Sequence, residues 1–192
     1  MDELYLQQVL EGNPDAFRYF VQQYKDMGYA VALSVLKDPF LAEESLQTAF
    51  IKAYRNLASF RKQSKFSTWF LRIVTNEALS QLRKNNHRNI EFTESFPEIS
   101  ADENAIEQLQ QEDKMRLIQE ALQQLPPKES LALRLFYLEE EDLNTVCDIT
   151  GWTMTNTKVI LHRARKHILV LLTCSIQQEE NLLLYAANRK EQ

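Results

Sequence analysis

Apolar residues recur every three to four positions along most of this chain, and a proline, a glycine or an acidic run marks each place where the rhythm stops. From Ala16 to Leu36, after the start signal Asn13-Pro14, the spacing predicts an amphipathic helix. Asp38-Pro39 predicts the next helix, with Asp38 as its cap and Pro39 in its first turn, running to about Ala58. A polar loop, Ser59 to Lys65, leads to a third helix from Ser67 to Asn85. The rhythm resumes near Lys114, breaks at Pro126-Pro127 and continues through "KESLALRLFYL". Leu143 to Thr150 and Thr153 to Leu172 then predict a short and a longer helix around Gly151. That is the pattern of a helix-turn-helix. Alternating strand patterns and hairpin turn pairs do not occur, and no internal repeat is visible. The fold class expected is all-α: two small helical domains, 1–88 and 114–173, joined by a linker at 89–113 and followed by an extension at 174–192.

Composition sharpens this picture. Three glycines and five prolines in 192 residues leave room for long helices. The net charge of −5 is unevenly spread: 89–113 holds eight acids and no base, whereas 1–88 holds twelve bases against nine acids. Net charge is therefore a poor guide to partners. No apolar run approaches the roughly 18 residues of a membrane span, and the acidic start "MDELYLQQVL" is unlike a secretory leader, so a cytoplasmic protein is expected. Cys147 and Cys174 are far apart and read as small apolar fillers.

Two basic segments bracket the acidic one. In "FRKQSKFSTWFLRIVTNEALSQLRKNNHR", Phe60 to Arg88, aromatics interleave with bases. On a helical wheel Trp69, Arg72, Asn76 and Arg83 fall within about 60° of one another, opposite Phe70, Val74 and Ala78. Bases hold phosphates and rings stack on unpaired bases, which suits single-stranded nucleic acid. The competing reading is a buried tryptophan anchor beside a solvated arginine face. In "LNTVCDITGWTMTNTKVILHRARK", Leu143 to Lys166, the stripe Thr157, Leu161, Ala164 and Ile168 predicts a buried face. Lys158, His162, Arg165 and Lys166 point outward, so the helix is placed either in a major groove or on the outside of a bundle. No metal-ligand spacing, phosphate loop or nucleophile elbow occurs, so neither an enzyme nor a metal or other cofactor is expected.

Five blocks in order carry a family resemblance: "GNPDAFRYFVQQY", "DPFLAEESLQTAFIKAYRNLASF", "FSTWFLRIVTNEALSQLRK", "ALQQLPPKESLALRLFYLE" and "TGWTMTNTKVILHRARKHI". Across about residues 8 to 172 the chain resembles the small sigma factors of bacterial RNA polymerase, the extracytoplasmic-function (ECF) group of the sigma-70 family. The resemblance implies a region 2 type bundle docking on the clamp helices of the largest polymerase subunit through Glu43, Glu44, Gln47, Phe50 and Ile51. It implies capture of the melted minus-ten element by Phe60, Arg61, Lys62, Lys65, Phe66, Trp69, Arg72, Asn76 and Arg83. A region 4 type helix-turn-helix would read the minus-thirty-five duplex through Thr155, Asn156, Lys158, Val159, His162, Arg163 and Lys166 and dock on the flap of the second-largest subunit. An anti-sigma factor is the further partner implied. The linker carboxylates, among them Glu91, Glu94, Glu98, Asp102 and Glu103, would imitate RNA phosphates in the transcript channel.

The chain also departs from the family pattern. Ile160 stands where arginine is usual, Thr155 where glycine is frequent, and Thr145 and Cys147 where Glu and Ala are usual. The expectation is weakened minus-thirty-five binding that Ile160→Arg restores. The apolar cluster Leu182 to Tyr185 is expected to pack on the second domain's core or to receive a regulator. Two rival functions stand beside the first: a stand-alone helix-turn-helix regulator, and a helical interaction protein that has lost DNA binding.

Overall fold

The computed structural model describes residues 1–85 and 111–188, with the backbone alone at 111–114 and 179–188. The linker carboxylates and Arg88 lie outside the described residues, as do the side chains of Leu182 to Tyr185. Eight α-helices are described: α1 (Asp2–Leu10), α2 (Arg18–Leu36), α3 (Pro39–Arg55), α4 (Phe66–Asn85), α5 (Gln111–Gln124), α6 (Pro127–Leu133), α7 (Leu143–Thr150) and α8 (Met154–Asn188). Short 3₁₀ turns at Pro14–Phe17 and Leu57–Ser59 and a π turn at Arg134–Leu138 complete the set. There is no strand among the described residues.

Local chemistry sets most boundaries. Lys37 ends α2 in the left-handed region at φ 59°. Asp38 is extended, as a residue before proline prefers, and its carboxylate accepts from the Leu41 amide at 3.0 Å, capping α3. α3 stops at Arg55 rather than at Ala58. The Asn56 side-chain amide bonds back to the Lys52 carbonyl at 2.8 Å, and Ser59 Oγ to the Asn56 carbonyl at 2.7 Å, so the chain tightens into a 3₁₀ turn. Gly151 caps α7 at φ 73°, a conformation that costs glycine little. α8 runs well past Leu172, because no glycine or proline follows to stop it.

The first core lies between α2, α3 and α4. Phe20, Val31, Val35, Phe70 and Val74 are fully buried, and the Phe50 and Phe70 rings stack 4.5 Å apart. Gly28 allows the close approach: a Cβ there would lie 2.6 Å from Leu46 Cδ1 and 3.1 Å from Phe70. In the second half Leu125, Ala132, Leu161 and Ala164 form a smaller core joining α5, α6 and α8.

The two halves are not separate in this structure. α6 packs on α2 and α7 on α4. Leu131, Leu135, Val146 and Ile149 belong to the same buried cluster as Val31 and Phe70. At this seam the Lys37 ammonium donates to the Leu122 carbonyl at 2.5 Å, and burial pulls its pKa from 10.5 down to about 7.

Candidate nucleic-acid interface

The loop between the Leu57–Ser59 turn and α4 forms one side of a cavity of about 340 Å³. Phe20, Tyr24 and Phe66 line its apolar side, Phe60 and Ser67 its edge, and Lys62 and Lys65 its rim. Lys62 sits in the left-handed region at φ 55°, a conformation that costs a non-glycine residue strain and turns the loop sharply. The rings are interlocked: Phe66 lies 4.2 Å from Phe20, and Phe60 stands edge-on to Phe66 at 5.8 Å. Phe66 is thus a buried wall of the cavity, not a free ring.

Trp69 combines the two readings of its sequence. It is half-buried, with its ring 5.2 Å from Phe60 and 5.5 Å from Phe66, so it buttresses the loop while keeping an exposed edge. Arg61, Arg72, Asn76 and Arg83 are exposed. Arg83 Nε donates to the Leu79 carbonyl of its own helix at 3.2 Å, which lays the guanidinium along α4.

The helix-turn-helix is α7, the Gly151 turn and the start of α8. Asp142 caps α7, accepting from the Asn144 and Thr145 amides at 2.8 and 2.9 Å; the Thr145 bond foremost lowers its pKa. Thr157 is fully buried, its hydroxyl donating to the Thr153 carbonyl at 3.0 Å and meeting Cys147 Sγ at 3.2 Å. This contact locks the two helices of the motif together. Both cysteines are free thiols. Thr155, Asn156, Lys158, Val159, His162, Arg163 and Lys166 are all exposed, and Leu161 and Ala164 buried, as the helical stripe requires.

Three placements differ from the sequence expectation. Phe50, assigned to polymerase docking, faces the core and stacks on Phe70, so it holds α3 in place and presents nothing outward. Glu43, Glu44, Gln47 and Ile51 do share the exposed face of α3. Ile160 is buried in the second core beside Leu122 and Leu133, so arginine's usual position is here an apolar anchor. Arg163, grouped with the groove-reading residues, lines instead a cleft of about 1040 Å³ between the halves, with Asn76, Arg83 and His167.

Sequence reasoning passed over α1. Asp2 and Glu3 also line the cavity, and the Glu3 carboxylate pairs with the Lys62 ammonium at 3.7 Å. Asp2 accepts from the Tyr19 hydroxyl at 2.8 Å and the Tyr24 hydroxyl at 2.5 Å. An apolar Leu6 four residues after Asp2 was the one available signal that this acidic start packs down. Phe40 and Tyr54, exposed apolar residues of α3, were also missed, although their outward positions on the helical wheel were readable.

Comparison with known proteins places the chain. Residues 20–88 match the family model for sigma-70 region 2, and residues 115–168 the model for sigma-70 region 4. The ECF RNA polymerase sigma factor SigW of Bacillus subtilis is 32% identical over 173 residues, covering 84% of this chain and 91% of that protein. The ECF sigma factor SigM of the same organism is 30% identical over 160 residues, with 82% and 96% covered. Among solved structures the fold resembles the sigma factor RpoE bound to the anti-sigma factor NepR from Bartonella quintana, at TM-score 0.61 and 24% identity over 81% of this chain and 96% of that one. It also resembles CnrH bound to the cytosolic domain of CnrY, at TM-score 0.56 and 16% identity over 89% and 96%.

Proposed function

We propose a division of labour among the surfaces of a chain that belongs to the ECF group of the sigma-70 family. Its function is that of an RNA polymerase sigma factor: it binds core enzyme, directs it to promoters and assists their melting, while the polymerase performs the chemistry.

The exposed face of α3, with Glu43, Glu44, Gln47 and Ile51 and the neighbouring Phe40 and Tyr54, docks on the clamp helices of the largest subunit. The cavity behind Phe60 takes one flipped base of the melted minus-ten element. Lys62, Lys65, Arg61 and Arg72 hold the flanking phosphates, and Asn76 and Arg83 extend the track along α4. Flipping a base costs a few kcal/mol, which stacking in an aromatic pocket offsets. The start of α8 enters the minus-thirty-five major groove with Thr155 and Asn156 toward base edges and Lys158 and Lys166 on phosphates; the second half also docks on the flap of the second-largest subunit. The observation that carries this reading is the base-sized aromatic cavity with a lysine rim, at the head of the helix bearing Arg72, Asn76 and Arg83. A regulator confined to duplex DNA has no use for such a cavity.

In the conformation seen, α4 and α7 press together, and Asn76 and Arg83 of α4 share one cleft with Arg163 of α8. Simultaneous binding of both promoter elements requires the halves to part. The 25-residue segment 89–113 reaches at most roughly 85 Å, which is ample for that. An anti-sigma factor engages this closed arrangement and keeps the DNA and polymerase faces covered; the complex of the fold relative RpoE with the anti-sigma factor NepR supports a partner of this kind. No helix among the described residues is long and apolar enough to cross a membrane, and action in the cytoplasm accords with this. The test is capture of core polymerase by the tagged chain, followed by run-off transcription on fragmented genomic DNA with mapped start sites. Failure to join core enzyme, or no preference for a bubble over a fully paired template, overturns the reading.

A further inference from the structure

The groove-facing side of α8 continues past the residues assigned to the minus-thirty-five element. Thr155, Lys158, His162 and Arg165 recur at steps of three and four and are all exposed, so they form one outward face of the helix. Arg165 lies ten residues beyond Thr155, about 15 Å along the axis. When the first turn of a recognition helix meets base edges, a residue so far along the same face meets the sugar–phosphate wall of the groove.

Arg165 is exposed but not loose. Its Nε donates to the Tyr137 hydroxyl at 2.7 Å, across 28 positions of the chain. The guanidinium carbon lies 5.6 Å from the Tyr137 ring centroid, at the outer edge of cation–π range. Tyr137 is itself held: its ring stands edge-on to Phe136 at 4.9 Å, and Phe136 packs against both cores. The π turn Arg134–Leu138 that carries these rings is pinned by the Arg134–Glu139 ion pair at 3.1 Å, with both partners largely buried. Turns of this type are uncommon and gather at functional sites.

A bond through Nε leaves the terminal guanidinium nitrogens to an oxyanion, an edge that holds phosphate bidentately. An unanchored arginine gives up rotamer freedom when it meets phosphate, whereas Arg165 has given it up on folding. We propose that Tyr137 is a positioning residue for duplex binding: it presets Arg165 against a backbone phosphate beside the minus-thirty-five groove. The proposal rests on the reading of α8 as the helix that enters that groove, and deepens it with a contact whose geometry is fixed from outside the helix-turn-helix. A contact to phosphate adds affinity for every sequence alike, because such contacts position without specifying.

Full-length chain is titrated with a dye-labelled, mixed-sequence duplex of about 30 base pairs, read by anisotropy between about 50 and 200 mM salt, where phosphate contacts set the slope. Arg165→Ala should weaken binding and lower the slope of log affinity against log salt by about one. Tyr137→Phe, which keeps the ring and removes the hydroxyl, should weaken binding about threefold, the effect of one hydrogen bond. In the Arg165→Ala background the same change should have no effect, an outcome that a purely structural role for Tyr137 would not produce. Arg165→Lys should keep the slope and lose the dependence on Tyr137, because lysine has no planar fork to align. Both side chains are exposed, so every variant should melt with the unaltered chain. An unchanged slope in Arg165→Ala, with Lys158→Ala still lowering it, overturns Arg165 as a contact and leaves α8 in the groove. A Tyr137→Phe effect that is absent in the unaltered chain, or equal with and without Arg165, overturns the positioning role. Slopes unmoved by both Lys158→Ala and Arg165→Ala overturn the groove reading and the proposal with it.

Discussion

Replacing Lys37 by methionine tests whether the closed packing of the two halves carries a built-in penalty. Lys37 belongs to the first half and Leu122 to the second, 85 residues apart, and burying the ammonium between them opposes closure. The fall in pKa from 10.5 to about 7, at about 1.4 kcal/mol per decade, sets a ceiling of about 5 kcal/mol on that cost. A charge-assisted bond to a carbonyl returns about 2 kcal/mol. Lys37→Met should therefore stabilise the closed form by about 2–3 kcal/mol at neutral pH. The Leu122 carbonyl is not orphaned by the change, because Ser130 Oγ also donates to it at 2.9 Å. The pH signature follows from the sign of the displacement. The open and unfolded states hold the Lys37 proton up to about 10.5 while the closed state releases it near 7, so stability rises with pH across that window and is flat below it. Urea unfolding at pH 6, 7.5 and 9 measures the free energy, and energy transfer between dyes on α3 and on the outer face of α8 measures closure. Methionine should remove the Lys37 share of the slope and tighten closure, and, on the proposed reading in which the halves part, reduce affinity for core polymerase. Equal stabilities for the two proteins, or the same increment between pH 7.5 and 9 in both, would refute the argument.

Three further outcomes are expected. Ile160→Arg, the change that family comparison recommends for tighter minus-thirty-five binding, should instead destabilise the second half by about 3 kcal/mol, since it forces a cation among Leu122, Leu133 and Leu161; thermal melting decides it, and an unaltered melt with tighter DNA binding would restore the sequence expectation. Thr75→Val should stabilise by about 1 kcal/mol, because the Thr75 hydroxyl of α4 is fully buried without a hydrogen-bond partner among the described residues; urea denaturation reads this directly. Lys158→Ala should weaken duplex binding across sequences and reduce the slope of log affinity against log salt by about one, whereas a change in sequence preference alone would move Lys158 from phosphate to base contact.

The helices, their caps and the helix-turn-helix were legible in the chain because they depend on residues within one turn of each other. Asp38 before Pro39 and Gly151 between two apolar stripes each state a local requirement, and the structure meets it. The 3.6-residue period likewise separates Phe70, Val74 and Ala78 from Arg72, Asn76 and Arg83. So the all-α class, the exposed basic loop and the family itself follow from sequence.

Periodicity says which residues share a face, not what that face meets. Phe50 and Ile51 are neighbours near the edge of one stripe, and only the packing of α3 against α4 sends Phe50 inward to Phe70 and leaves Ile51 outside. Ile160 became an anchor because α5 and α6 close over it. The acidic wall of α1 and the Lys37 contact with Leu122 join residues far apart in the chain, and no local spacing encodes such partners. Long-range contacts of this kind are selected by the fit of whole surfaces, which exists only once the helices have packed.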